Sequence, residues 1–228
     1  MSREKAMKKV ESDTLSEHLV HIQAKAAVLE GALAIPEGAH GLVLFAHGSG
    51  SSRHSPRNKS VAEVLGKAGL GTLLIDLLTR EEDADYKTRF DIDLLTDRLE
   101  AATHWLTERA QTKNLLIGYF GASTGAAAAL QAAASLEDRI RAVVSRGGRP
   151  DLAWEALDRV RAPTLLIVGG LDDIVIELNQ KAYGRLRAEK QLVIVPGAGH
   201  LFEEPGALPE VARLAAEWFK RYLRPKAG

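Results

Sequence analysis

Residues 121 to 125 read Gly-Ala-Ser-Thr-Gly. They lie between an apolar run, Leu115-Leu116-Ile117-Gly118-Tyr119-Phe120, and an alanine-rich stretch, Ala126 to Ala134, that reads as a helix. A chain that passes from a buried strand into a helix through this pentapeptide must reverse sharply at Ser123. Side chains at the two flanking glycines would collide with the neighbouring strand and helix, and the strained turn exposes the serine hydroxyl above the sheet. A serine so placed is a nucleophile elbow.

An acid and a histidine follow, each just past a strand. Thr164-Leu165-Leu166-Ile167-Val168 has the pattern of a buried strand and runs into Gly169-Gly170-Leu171-Asp172-Asp173. Leu192-Val193-Ile194-Val195 is a second such run and leads into Pro196-Gly197-Ala198-Gly199-His200. Serine is a poor nucleophile near neutral pH and needs a base to take its proton. His200 is the expected base, and a carboxylate is expected to hold its tautomer and stabilise the imidazolium. Asp172, three residues after Gly169, is taken as that acid, and Asp173 is the adjacent alternative. On this route activity rises with pH as the base loses its proton.

Gly41-Leu42-Val43-Leu44-Phe45-Ala46 precedes His47-Gly48-Ser49-Gly50-Ser51-Ser52, a glycine-rich loop suited to backbone N–H donors that face a developing oxyanion. The expected donors are the amides of Ser49 and Thr124. The loop lacks the Lys-Ser/Thr pair of a phosphate-binding P-loop. His47 is expected to shape this loop rather than act as a base.

The order Ser, Asp, His is that of α/β-hydrolases. With His47-Gly48-Ser49-Gly50, the elbow, Gly169-Gly170-Leu171-Asp172 and Gly199-His200, the chain resembles the dienelactone hydrolase-like group from about residue 17 onward. Phe45 to Asn58 and His200 to Ala207 also resemble small hydrolase domains that occur alone or joined to phosphoribosyltransferase domains. The resemblance implies an α/β-hydrolase fold and ester hydrolysis without a cofactor. The namesake enzymes use a cysteine nucleophile, whereas this chain has no cysteine, a departure that bears against the dienelactone substrate and leaves ester hydrolysis intact.

Eight strands are expected near 18–24, 27–34, 42–46, 72–76, 114–119, 141–145, 164–168 and 191–195. Helices are expected near 57–68, 92–109, 124–135, 177–188 and 207–222. Strands alternating with helices predict a mostly parallel eight-stranded sheet covered on both faces. Only residues 146–163 separate the sixth and seventh strands, room for one short helix at about Asp151 to Leu157, so a minimal lid or none is expected.

With 228 residues, 46% apolar content and zero formal net charge, the chain suits one α/β domain, expected over 17–224 after a flexible segment at 1–16. The neutral balance argues against nucleic acid. No run approaches the about 20 apolar residues of a membrane span, and a cytoplasmic protein acting on small or exposed esters is expected. Thioester, lactone and small amide substrates use the same machinery, and a non-catalytic binding protein is the alternative from another class. Arg53, His54 and Arg146 are candidates for holding an anionic substrate group, with Arg149 nearby; the competing role is ion pairing, for instance with Glu81-Glu82-Asp83. No metal site is expected, and the sequence leaves the oligomeric state open.

Overall fold

The computed structural model describes residues 16–225. The flexible segment expected over 1–16 lies outside them except for Ser16. Eight strands form one sheet: β1 (Glu17–Ala24), β2 (Ala27–Ala34), β3 (Gly41–Ala46), β4 (Gly71–Ile75), β5 (Leu116–Ala122), β6 (Ile140–Arg146), β7 (Thr164–Gly169) and β8 (Lys190–Val195). Their spatial order is β1-β2-β4-β3-β5-β6-β7-β8. The pair β1–β2 is antiparallel, β2 meets β4 antiparallel, and every pair from β4 to β8 is parallel. Parallel strands buried on both faces need continuous apolar runs, and β3, β4 and β7 are buried at every position.

Six α-helices follow in chain order: α1 (Pro56–Lys67), α2 (Arg80–Ala84), α3 (Ile92–Glu108), α4 (Thr124–Leu136), α5 (Asp173–Arg185) and α6 (Ala207–Tyr222). Helices α1 and α6 cover one face of the sheet, packing Val61, Leu65, Val211 and Phe219 onto Val43, Phe45, Phe120 and Val144. Helices α3, α4 and α5 cover the other face, around Leu99, Leu106, Ala182 and Tyr119. Helix α4 is apolar nearly all round because it lies inside the molecule, and its small alanines let the sheet, α3 and the 3₁₀ segment Pro150–Arg159 close in on it.

The expected strands and helices are all present, with shifted ends. Strand β5 runs three residues beyond the expected 119, so the turn at Ser123 follows the strand with no loop between. Helix α5 begins at Asp173 rather than 177. Helix α2 was not anticipated; it is a five-residue turn held by a capping box, with Thr79 Oγ1 accepting from the Glu82 N–H and Glu82 Oε2 accepting from the Thr79 N–H. A single turn has too little apolar periodicity to read. The 3₁₀ segment is the only element between β6 and β7 among the described residues, so no lid domain covers the sheet's carboxyl edge.

From β3 the chain moves one way to β4, and from β5 onward it moves the other way. That switch point, between β3 and β5, is where open α/β sheets leave a crevice at the strands' carboxyl ends. The segments there meet backbone to backbone. A Cβ placed on Gly125 would lie 2.2 Å from the Ala46 carbonyl oxygen and 2.4 Å from that of His47. We therefore expect Gly125→Ala to destabilise the protein by about 3 kcal/mol or more in urea denaturation. Gly184→Ala, in α5 with nothing within 4 Å of its added methyl, is expected to stabilise by about 0.5–1 kcal/mol.

Candidate active site

Ser123 sits between β5 and α4 with φ 51° and ψ −121°, a conformation that costs a non-glycine residue about 1–3 kcal/mol. The surrounding contacts hold it there. Its N–H donates to the Arg146 carbonyl at 3.3 Å, and its carbonyl accepts from Arg149 N–H at 3.1 Å. A Cβ on Gly121 would stand 2.4 Å from Ala126 Cα, and one on Gly48 would stand 3.0 Å from Ser123 Cβ. Gly121 of the elbow and Gly48 of the loop after β3 are thus required by close approach, as is Gly125, the elbow's second glycine. Ser123 itself is partly exposed, while Thr124 is buried.

The loops after β7 and β8 are zipped together. Gly170 N–H donates to Val195 O at 2.8 Å and Leu171 N–H to Ala198 O at 2.9 Å. A Cβ on Gly169 would come within 2.4 Å of Gly199 O. This zipper brings His200 Nδ1 to 2.6 Å from Asp172 Oδ2. Asp172 stands at the N-cap position of α5 but makes no capping bond, its carboxylate being turned to the imidazole. Of the two adjacent aspartates it is Asp172 that meets His200; Asp173 is exposed. The bond at Nδ1 leaves Nε2 as the ring atom available for proton transfer.

Ser123 and His200 are not hydrogen-bonded in this structure, and such contacts often tighten only around substrate. The stretch Arg146-Gly147 joins them. Arg146 holds Ser123 through its carbonyl, and the position of a Cβ on Gly147 lies 3.5 Å from His200 Cε1 and Nδ1. Gly147 has φ 51°, so a side chain there would be strained as well as crowded against the ring.

His47 is buried and fixes the loop after β3. Leu77 N–H donates to Nε2 at 3.1 Å, which makes Nε2 an acceptor and puts the proton on Nδ1, 3.0 Å from the Gly48 carbonyl. Burial holds its pKa below the ordinary 6.5, against smaller opposing effects from the Gly48 bond, Asp76 and Asp83. With both nitrogens engaged, it has no lone pair to offer as a base.

Of the two amides expected to face an oxyanion, Thr124 and Ser49, one is already engaged. Thr124 N–H belongs to the first turn of α4 and has no helical acceptor. Ser49 N–H is not free, because it donates to Thr124 Oγ1 at 3.0 Å. The cause is burial: Thr124 is 1% exposed and its hydroxyl oxygen needs a donor. The Thr124 hydroxyl proton then remains to be given elsewhere. A void of about 10 Å³, lined by Gly48, Ser49, Gly50, Arg89 and Thr124 among others, adjoins it, and it is about the size of a single water. Arg89 was not found in the sequence. It reaches this void from the α2–α3 connection, held by Asp83, and no motif marks it.

Two of the expected anion-binding residues are not available for that role. Arg53 forms ion pairs with Asp76 and Glu30, so its charge is already compensated. Its partners are not the acidic segment 81–83, where Glu82 pairs with Arg98 and Asp83 with Arg89. Arg149 pairs with Asp151. His54 is exposed, on the wall of a cleft of about 620 Å³ that also includes Glu30, Arg53 and Asp76. None of Ser123, Asp172 and His200 lines that cleft, but it shares His47, Leu78 and Asp83 with the void beside Thr124. Arg146 is buried and takes no part in an ion pair. Among the described residues, no group of three or more His, Asp or Glu side chains is placed to hold a metal ion, and no helix is long and apolar enough to cross a membrane.

The model of the dienelactone hydrolase family matches residues 29–224. The chain belongs to that family. A dienelactone hydrolase from Anabaena variabilis is 60% identical, covering 92% of this chain and 99% of its own, with a TM-score of 0.90. An α/β serine hydrolase without lid from Xanthomonas campestris, 22% identical over 92% of this chain and 97% of its own, has a TM-score of 0.75 and shares the fold. A putative phosphoribosyl transferase of Mycobacterium tuberculosis is 56% identical over 209 residues, which is 92% of this chain and 47% of that protein. The chain therefore spans about half the length of that relative. Membership agrees with the α/β-hydrolase fold seen in the sheet.

The buried neutral imidazole of His47 has a consequence for stability. Below 6.5 the unfolded chain takes up a proton that folded His47 resists, so this residue's contribution is complete above 6.5 and declines as pH falls. Urea midpoints measured from pH 8 to 5 should fall less steeply in His47→Gln than in the wild type, whatever the offset between the two proteins.

Proposed function

We propose that the protein is a serine esterase that cleaves carboxylic esters of small or exposed substrates through Ser123, His200 and Asp172. The observation that carries this reading is the 2.6 Å bond between Asp172 and His200 beside a partly exposed serine on a strained elbow. His200 Nε2 takes the Ser123 hydroxyl proton as Oγ attacks the ester carbonyl. Asp172 holds the Nδ1–H tautomer and stabilises the imidazolium. The tetrahedral intermediate collapses, the alcohol leaves with the proton from His200, and an acyl group remains on Ser123. Water, deprotonated by His200, then attacks that acyl-enzyme and releases the acid and free Ser123.

Two hydrogen-bond donors of Thr124, its N–H and its hydroxyl, form the oxyanion hole in this reading. The Ser49 N–H polarises the hydroxyl oxygen and so strengthens it as a donor. The open carboxyl edge, without a lid domain, supports small or exposed esters over long lipid chains. The family and the neutral composition support a cytoplasmic setting with no cofactor and no nucleic acid partner. Thioesters and lactones remain substrates of the same machinery. An alkoxide leaves more easily than an amine, which places amides behind them.

With short-chain p-nitrophenyl esters, Ser123→Ala should abolish turnover, and Asp172→Asn should lower kcat by about 10⁴-fold through the wrong tautomer. A wild type that folds yet neither turns over nor reacts at Ser123 would point to a binding protein on this fold. Thr124→Val keeps the shape of the side chain and removes the hydroxyl. It should lower kcat by about 10- to 10³-fold with little change in KM. A rise in kcat would mean instead that the hydroxyl blocks Ser49, whose amide would then be the second donor.

A further inference from the structure

Strand β8 ends the sheet on one side and, among the described residues, pairs with β7 alone. It reads Lys-Gln-Leu-Val-Ile-Val, with a single charge at its start. Toward β7, Glu189 O accepts from Thr164 N–H at 2.8 Å, and Val195 O accepts from Gly170 N–H at 2.8 Å. Successive residues of a strand turn their backbone groups to opposite sides, so the odd-numbered residues serve β7. Lys190, Leu192 and Ile194 therefore present their N–H and C=O groups outward.

An open edge is a template for another strand, and proteins ordinarily block it with charges, prolines or bulges. The opposite edge, β1, exposes Glu17, His18, His21 and Gln23 beside one leucine, Leu19. Strand β8 has no comparable guard. Its only charged side chain, Lys190, is turned back onto α5: Nζ donates to the carbonyls of Tyr183 and Leu186 and lies 4.8 Å from the centre of the Tyr183 ring. Leu192 and Val193 are half-buried, although the inner strands β3, β4 and β7 are buried throughout, and Ile194 is 37% exposed. The lysine contact also shows which side of α5 lies beside the edge. That side carries Tyr183 and, two turns earlier, Ile176, both half-buried.

We propose that β8 is a self-association edge, through which two copies of this chain pair antiparallel and join their sheets into one. The occupant is a second copy because the strand is complementary to itself in one register. Opposed antiparallel residues that both face the ladder exchange two hydrogen bonds. With Leu192 opposite the second copy's Leu192, Lys190 meets the second copy's Ile194 and the reverse, so every outward group of the strand is paired. A shift by two residues leaves groups unpaired, and Pro196, which has no N–H, closes the series. No like charges stand opposed. The twofold axis is normal to the sheet, so both α5 helices lie on one face and bring Ile176 and Tyr183 of the two copies together. The contact is smaller than the about 20–30 residues a side of a standard interface, which makes the dimer concentration-dependent. It leaves both Ser123 sites open, at opposite edges of the joined sheet, and is independent of the chemistry there.

Sedimentation of the full-length chain from dilute to concentrated solution tests the association. The mass should rise toward twice that of one chain. Ile194→Lys sets a lysine opposite the second copy's Lys190 at a position already partly exposed, and should raise the midpoint concentration by about 10-fold or more while circular dichroism stays unchanged. A wild type that remains monomeric throughout overturns the proposal, as does a dimer that Ile194→Lys leaves intact.

The register has its own tests. Exchange of the Leu192 and Ile194 amides should slow as concentration rises. Protection of these amides in the monomer would mean that another segment of the same chain covers the edge, and would overturn the proposal. The chain has no cysteine, so Gln191→Cys introduces a single thiol, about 7–8 Å from its counterpart diagonally across the axis. A short bismaleimide should link two copies of this variant and fail to link Leu19→Cys, on β1. Linkage through Leu19→Cys and not Gln191→Cys would place the contact at the other edge and overturn the assignment to β8.

Discussion

Four backbone segments approach within van der Waals distance at the carboxyl edge of the sheet, and the rest of the site depends on that approach. Gly125 lies against the carbonyls of Ala46 and His47, Gly121 against Ala126, Gly48 against Ser123, and Gly169 against Gly199. A methyl group at any of the tightest of these would have to push backbone aside, and interiors packed this closely do not yield cheaply. Ser123 can therefore be held at positive φ, because strand β5, helix α4 and the oxyanion loop together fix the position of its backbone. The strain is local, and its support comes from the two elements that flank Ser123 together with a loop about 75 residues earlier in the sequence.

Hydrogen bonds then assign each polar group one role. His47 is used at both nitrogens, so the histidine nearest the oxyanion loop is structural. His200 is used only at Nδ1, by Asp172, which leaves Nε2 for chemistry. The same contrast separates the arginines. Arg53 is half-buried and matched by Asp76 and Glu30, so it fastens the loop after β3 to β2 and to the end of β4. Arg146 is buried and unmatched.

Much of this was legible in the sequence because the governing signals are local. A buried parallel strand reads as an unbroken apolar run, and the elbow, the acid and the base each follow such a run at once, so their placement at one sheet edge came from reading three short segments. What was not legible depends on pairing across the chain. Whether Arg53 was free turned on Asp76 and Glu30, more than 20 residues away on either side. Arg89 reaches the void beside Thr124 through a connection whose only pattern is charge. The engagement of the Ser49 amide by Thr124 Oγ1 spans 75 residues. Here the residue after the elbow serine being a threonine was the visible signal, read for its backbone and not for its hydroxyl.

The central claim is that Ser123 forms a covalent acyl or phosphonyl bond assisted by the His200–Asp172 pair. The most direct test is to treat the folded protein with a fluorophosphonate and locate the adduct by peptide mass spectrometry, beside His200→Ala as a folded control. The account predicts one stoichiometric adduct on Ser123 in the wild type and much slower labelling of the same serine in the control. Labelling of another residue, or equal rates at Ser123 in both proteins, would contradict it.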